Sequence, residues 1–198
     1  MEIQVVGGSI QEREDALIVV NLFEGVTTPG GATGAVDAAL GGAIAEAIAG
    51  GDLRGKKGEA TVLYARGAIP AARVLVVGLG PQEGFGLQGI REAAATAAKK
   101  ARDLGVASFS SIVHGAGVGG VEPQAAAQAV VEGTILGLYR YQELKGKEPE
   151  RSDPETFTLV QRDAAQVAAV EAGAEVGQVV AEAACLARDL EPVHAGHH

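Results

Sequence analysis

A chain of 198 residues with 47% hydrophobic side chains is long enough for a domain with its own core and needs no disulfide staples. Aromatics make up only 4% and tryptophan is absent, so that core must come from alanine, valine and glycine on closely approaching helices. Acidic residues (25) outnumber basic ones (16), and the net charge of −9 disfavours general nucleic-acid binding despite the short basic stretches LRGKKG and KKAR.

The strand and helix signals alternate along the chain. EIQVV (2–6) and ALIVVNLF (16–23) read as strands, the second so apolar that it belongs in the middle of a sheet. After the loop TTPGGATG, residues 35–50 place Val36, Leu40, Ala43, Ile44, Ala47 and Ile48 at helical spacing and predict one helix. GEATVLYA and RVLVVGLG predict two strands with a turn near Pro70, and the second has the composition of a strand covered on both faces. Residues 90–104 form an amphipathic helix with Ile90, Ala94, Ala97, Ala98, Ala101 and Leu104 on one face, closed by Gly105.

SFSSIVH follows as a strand, then a glycine-rich loop, then a helix from Pro123 to about Leu144. KGKEPERSDPE reads as an exposed loop. TFTLV alternates as an edge strand does. Asp163 and Gln166 have capping-box spacing ahead of a last helix reaching Leu190. The sum is an α/β domain, a three-layer, mixed and largely parallel sheet with helices on both faces.

The lone Cys185, among alanines in a helical pattern, reads as a buried inert thiol and excludes an internal disulfide. The N-terminus has no basic region followed by an apolar stretch, and no apolar run approaches the ~18 residues of a membrane span. The expectation is a reducing, cytoplasmic setting away from membranes.

Within SSIVHGAGVGG, the glycines Gly115, Gly117 and Gly120 spell G-x-G-x-x-G. Such a loop cradles phosphate when a strand precedes it and a helix N-terminus points at the anion. The dinucleotide form also needs an acidic residue at the end of the next strand, about 20 residues on, and here that distance falls inside the helical pattern at 139–143. A plain strand-to-helix turn is the favoured reading, with the dinucleotide site and another phosphate-binding fold as alternatives.

No metallopeptidase, redox or nucleophile motif has convincing spacing. His114, where strand meets loop, has no recognisable catalytic partner and reads as a structural histidine before a catalytic one. His194, His197 and His198 have chelating spacing but lie in a terminal tail, 191–198, that reads as frayed and of expression-vector origin as one reading. Of Tyr139 and Tyr141, on roughly opposite helix faces, one is expected to pack and the other to meet solvent or a partner.

Four stretches in this order carry a resemblance: AVDAALGGAIAEAIAGGDLRGKKGEATVL, RVLVVGLG with its alanine-rich helix, EGTILGLYRYQELK, and the terminal ACLARDL. The chain resembles, over nearly its whole length, the N-terminal domain of the cytosol (leucyl) aminopeptidase family of two-domain metallopeptidases. The resemblance implies a macro-domain-like fold over 1–163 and a helix over 164–190 leading towards a catalytic domain. It implies a parent enzyme that removes N-terminal amino acids from peptides, a cytoplasmic hexamer, and two divalent metal ions (zinc or manganese) in that catalytic domain. The family's metal ligands have no counterpart here, so it implies that this chain is a non-catalytic assembly or regulatory part, with the rest of the polypeptide and other subunits as partners.

The fold relation to macro domains implies the alternative, an ADP-ribose or nucleotide-binding module. Its ligand loops would fall at Gly30, Gly31 and Gly34 and at Gly115, Gly117, Gly119 and Gly120. The chain departs from that pattern. Ser9 stands where macro domains carry the aspartate that reads adenine, and of the first loop's asparagine pair only Asn21 remains.

Overall fold

The computed structural model describes residues 1–115, 120–140 and 152–190. Among the described residues, six strands form a single sheet: β1 (Glu2–Gly7), β2 (Leu17–Phe23), β3 (Ala60–Tyr64), β4 (Arg73–Gly80), β5 (Ser108–Ile112) and β6 (Thr156–Gln161). Their order is β1-β6-β5-β2-β4-β3, and every neighbouring pair is parallel except β3 with β4. The mixed, mainly parallel sheet expected from the alternation is therefore present.

Both faces are covered, and strand alternation decides which side chain goes where. From β2 and β4, Leu17, Val19, Leu75 and Val77 join one core cluster, packed against α3 (Leu87–Asp103), α4 (Pro123–Leu138) and α5 (Val167–Leu190). The residues between them, Ile18, Val20, Val74 and Val76, join the opposite cluster with Val36 of α1 (Gly31–Ala39) and Ile44 of α2 (Ala43–Gly50). All eight strand residues are fully buried. At roughly 1.5–3 kcal/mol for each large aliphatic side chain, these two strands anchor the domain.

The helical layer is built from small residues, as the composition requires. Ala93, Ala94, Ala97, Ala98 and Ala101 of α3 are buried with Ile90. Gly133 of α4 lies so close to α3 that a Cβ there would run into the Arg91 carbonyl, and Gly173 of α5 meets the Gln124 carbonyl of α4 in the same way. Between α3 and α4, Arg91 Nε donates to Glu132 Oε2 at 2.6 Å and Gln128 donates to the other oxygen at 2.7 Å, so the buried carboxylate has a partner on each side.

Several expectations need correction. The helix predicted over 35–50 is two helices, α1 and α2, bent by 105°. Gly41 and Gly42 both have positive φ at the break, and Asp37 Oδ1 accepts from the Ile44 and Ala45 amides, capping the second helix. The strand TFTLV is not at an edge. β6 lies between β1 and β5, and buried Phe157 and Leu159 face the helices while Thr158 and Val160 are buried on the other side. The capping box is half formed. Asp163 accepts from the Ala165 amide, but the Gln166 side chain accepts from Gln161 instead of reaching back. Finally, α4 ends at Leu138, because Tyr139 turns extended and its hydroxyl donates to Asp189 at the end of α5. That hydrogen bond, with partial burial, pushes the Tyr139 phenol up to about 12. Tyr141, most of KGKEPERSDPE and the tail histidines lie outside the described residues.

Cys185 is half-buried on α5 rather than fully buried, and desolvation raises its thiol pKa. Among the described residues, no single helix is long and apolar enough to cross a membrane.

Candidate functional site

The strands set the site's position. β1, β6, β5 and β2 are parallel, so their carboxyl ends open on one rim of the sheet, where α/β folds leave a crevice. A cleft of about 420 Å³ occupies this rim. Its walls are Gly8 and Ser9 after β1, Gln161 at the end of β6 and Arg162 beyond it, Ile112 at the end of β5 and Val113 beyond it, Asn21 and Phe23 from β2, and Gly30 and Gly31 at the N-cap and start of α1.

The glycines singled out from the sequence do not act as one group. Gly30, Gly31 and Gly115 line the cleft. Gly34 lies one turn further along α1 and is a packing residue, since a Cβ there would approach the Pro29 carbonyl to 2.7 Å. Gly120 is exposed and is not part of the wall. Gly117 and Gly119 fall outside the described residues. Gly115 has φ +74°, and a Cβ on it would press on Phe85 at 2.8 Å and Ile90 at 3.1 Å. Its absent side chain is accounted for by the turn and the packing beneath it.

His114 is buried at the floor of the rim. Asn21 Nδ2 donates to its Nδ1 at 3.1 Å, and its Nε2 lies 3.2 Å from Ser111 Oγ, which donates to the Ile112 carbonyl at 2.9 Å. With the amide donating to Nδ1, the ring proton belongs on Nε2. Burial lowers the pKa of His114 to about 4, so the ring is neutral. A neutral histidine with both nitrogens occupied, and no carboxylate among its hydrogen-bond partners, is a structural group. Asn21 is held by the same network. Its carbonyl also accepts from the Thr33 hydroxyl at 2.7 Å, tying β2 to α1.

Sequence reasoning missed Thr33, Gln161 and Arg162. Gln161 and Arg162 reach the cleft only because β6 inserts between β1 and β5, a long-range pairing that no local pattern announces. Arg162 is exposed at the mouth and makes no ion pair among the described residues. Nothing in the described residues fits a metal ion: no three His, Cys, Asp or Glu side chains converge. The described site thus has the shape of a small-ligand cleft, with one free cation and without an acid–base pair or metal-ligand set.

Such a rim on such a sheet defines a macro-like α/β domain. The solved structures agree on the fold. A tomato leucine aminopeptidase mutant superposes with a TM-score of 0.77 at 18% identity, over 96% of this chain and 38% of its own. A Trypanosoma brucei macrodomain in complex with ADP-ribose gives 0.67 at 20% identity, over 86% and 68%.

Sequence comparison then narrows the class. Residues 19–148 match the cytosol aminopeptidase family, N-terminal domain. A probable cytosol aminopeptidase of Roseiflexus castenholzii is 33% identical over 193 residues, covering 96% of this chain and 36% of the relative. The chain belongs to the cytosol aminopeptidase family and is its N-terminal domain. It spans little more than a third of the length of the curated relatives it matches.

Proposed function

We propose that this chain is the non-catalytic assembly and regulatory domain of a metal-dependent leucyl aminopeptidase acting on peptide N-termini in the cytoplasm. The observation that supports it best is the match to the family's N-terminal domain, by a chain that spans little more than a third of its relatives. The two divalent ions, zinc or manganese, belong in this reading to the rest of the polypeptide, as does the hexameric assembly. Leucine amide hydrolysis by the purified chain, with manganese or zinc added, tests the assignment. The expected result is no turnover. Metal-dependent turnover that stays with the chain through repurification overturns it.

A second reading, a nucleotide-ligand module, is favoured by one observation: the cleft, with Arg162 unpaired at its mouth. Against it, Ser9 offers a hydroxyl where adenine readout calls for a carboxylate, and the Asn21 amide is already engaged.

A further inference from the structure

The cleft on the rim of the sheet has an uneven chemistry. Ile10, Leu22, Phe23, Val26, Val113 and Val160 give it hydrocarbon walls. Three of its polar side chains are already engaged inside the fold: Asn21 with His114, Thr33 with the Asn21 carbonyl, and Gln161 with Gln166. A ligand rich in polar groups therefore meets few free partners along these walls, and each group it leaves unpaired costs affinity.

At the mouth the balance reverses. Arg162, just beyond β6, is exposed and makes no ion pair among the described residues. On the far side of β5 from it, α1 begins after β2. The Gly34 amide bonds to the Gly30 carbonyl, so the Gly31, Ala32 and Thr33 amides precede the first helical bond, and Gly30 brings no capping side chain. No aspartate or glutamate stands among the described lining residues. The mouth thus favours one negative charge and offers nothing to a positive one.

We propose that the cleft binds a monocarboxylate with a hydrocarbon body and no cationic group, its carboxylate beside Arg162 and its chain against Leu22, Phe23 and Val160. A cavity of about 420 Å³ is of the size that holds small ligands. Other anions fit less well. A diphosphate brings more charge to a protein of net charge −9, with one arginine to offset it. A free amino acid brings an ammonium group that no carboxylate in the cleft meets. The C-terminus of a peptide has the right charge, but its amides go unpaired against hydrocarbon. Such a ligand does not depend on an aminopeptidase parent.

Calorimetric titration of the purified 198-residue chain with octanoate tests this, beside 1-octanol, 2-aminooctanoate, N-acetyl-leucine and ADP-ribose. Octanoate should saturate a single site and bind at least about five-fold more tightly than each of the others, a modest factor because Arg162 is exposed. Arg162→Gln should bring octanoate down to the affinity of octanol. Arg66→Gln, which removes an exposed cation that does not line the cleft, should change nothing. Gly30 has extended backbone, and a Cβ there meets open space, so Gly30→Leu fills the mouth without strain and should abolish binding at an unchanged melting temperature.

Octanoate binding no tighter than that of octanol, or unaffected by Arg162→Gln, overturns the proposal. Tighter binding of ADP-ribose or of N-acetyl-leucine than of octanoate also overturns it, and assigns the cleft to a nucleotide or to peptide C-termini. Leucine amide hydrolysis is read separately on the same chain: turnover there defeats the non-catalytic reading without touching octanoate binding, so the two failures are distinguishable.

Discussion

Asn21 and His114, 93 positions apart in sequence, share a 3.1 Å hydrogen bond that joins β2 to the turn after β5 at the floor of the cleft. It leaves neither side chain free for chemistry and makes the site's foundation sensitive to protons.

The pH dependence follows from the direction of the histidine's shift. His114 has a folded pKa of about 4 against an ordinary value of 6.5. Between those values the unfolded chain binds a proton that the folded chain excludes, so stability is fully retained above pH 6.5 and falls as pH drops towards 4. The loss attributable to this group approaches about 3 kcal/mol at the bottom of the window. Urea denaturation at several pH values, with His114→Gln as the comparison, isolates it from the carboxylates. The wild-type curve should lose more stability than the variant between pH 6.5 and 4. Parallel curves would mean that His114 is not held neutral.

The ion pair between α3 and α4 should behave as a buried charge with one indispensable partner. The Glu132 side chain is 6% exposed and Arg91 33% exposed. Arg91→Met leaves the carboxylate with only Gln128 and should cost about 2 kcal/mol, less than a wholly buried pair because water reaches the arginine side. Adding Glu132→Leu should recover most of that loss. A double-mutant cycle in urea checks this, and additive losses would show that the two side chains are not coupled.

Close helix packing gives a third expectation. A Cβ at Gly173 collides with the Gln124 carbonyl, a backbone atom that cannot rotate away. Gly173→Val should therefore separate α5 from α4 and cost about 3 kcal/mol, at the upper end for overpacking. Thermal melts compared with Ala168→Val, at an exposed position of the same helix, separate packing from helix propensity. Equal effects at the two sites would refute the close approach.

The sequence made the layers legible and the local breaks less so. The nearly all-apolar run of β2 marked a central strand, the continuous β-branched and leucine run of β4 marked one covered on both faces, and alanine spacing gave the buried face of α3. The bend at Gly41–Gly42 was hidden because Val36, Leu40, Ile44 and Ile48 keep helical spacing across two helices that pack on the same side of the sheet. β6 looked like an edge because threonines alternate with apolar residues, yet Thr158 is buried, so polarity misreported its position. The cleft was half legible. Its loop glycines are visible as motifs, but Gln161 and Arg162 arrive through strand order, which depends on pairings across the whole chain.

The cleft itself should bind ADP-ribose weakly, with a Kd above about 1 mM, equivalent to less than about 4 kcal/mol of affinity. Backbone amides near Gly30 and Gly31 and the Arg162 guanidinium offer generic attraction to a diphosphate. Adenine, however, would find the Ser9 hydroxyl, which accepts a hydrogen bond without the charge that makes a carboxylate contact strong. Asn21 cannot turn towards a ligand without giving up His114, whose buried ring nitrogen would then lose its donor. The net charge of −9 opposes an anionic ligand at long range. Gly115→Val should lower stability, because it adds a side chain at φ +74° against Phe85 and Ile90, and should remove no ligand signal. Calorimetric titration of the chain with ADP-ribose measures the affinity. Micromolar binding that disappears with Arg162→Gln, in a variant whose melting temperature is unchanged, would promote the nucleotide-binding reading over the scaffold.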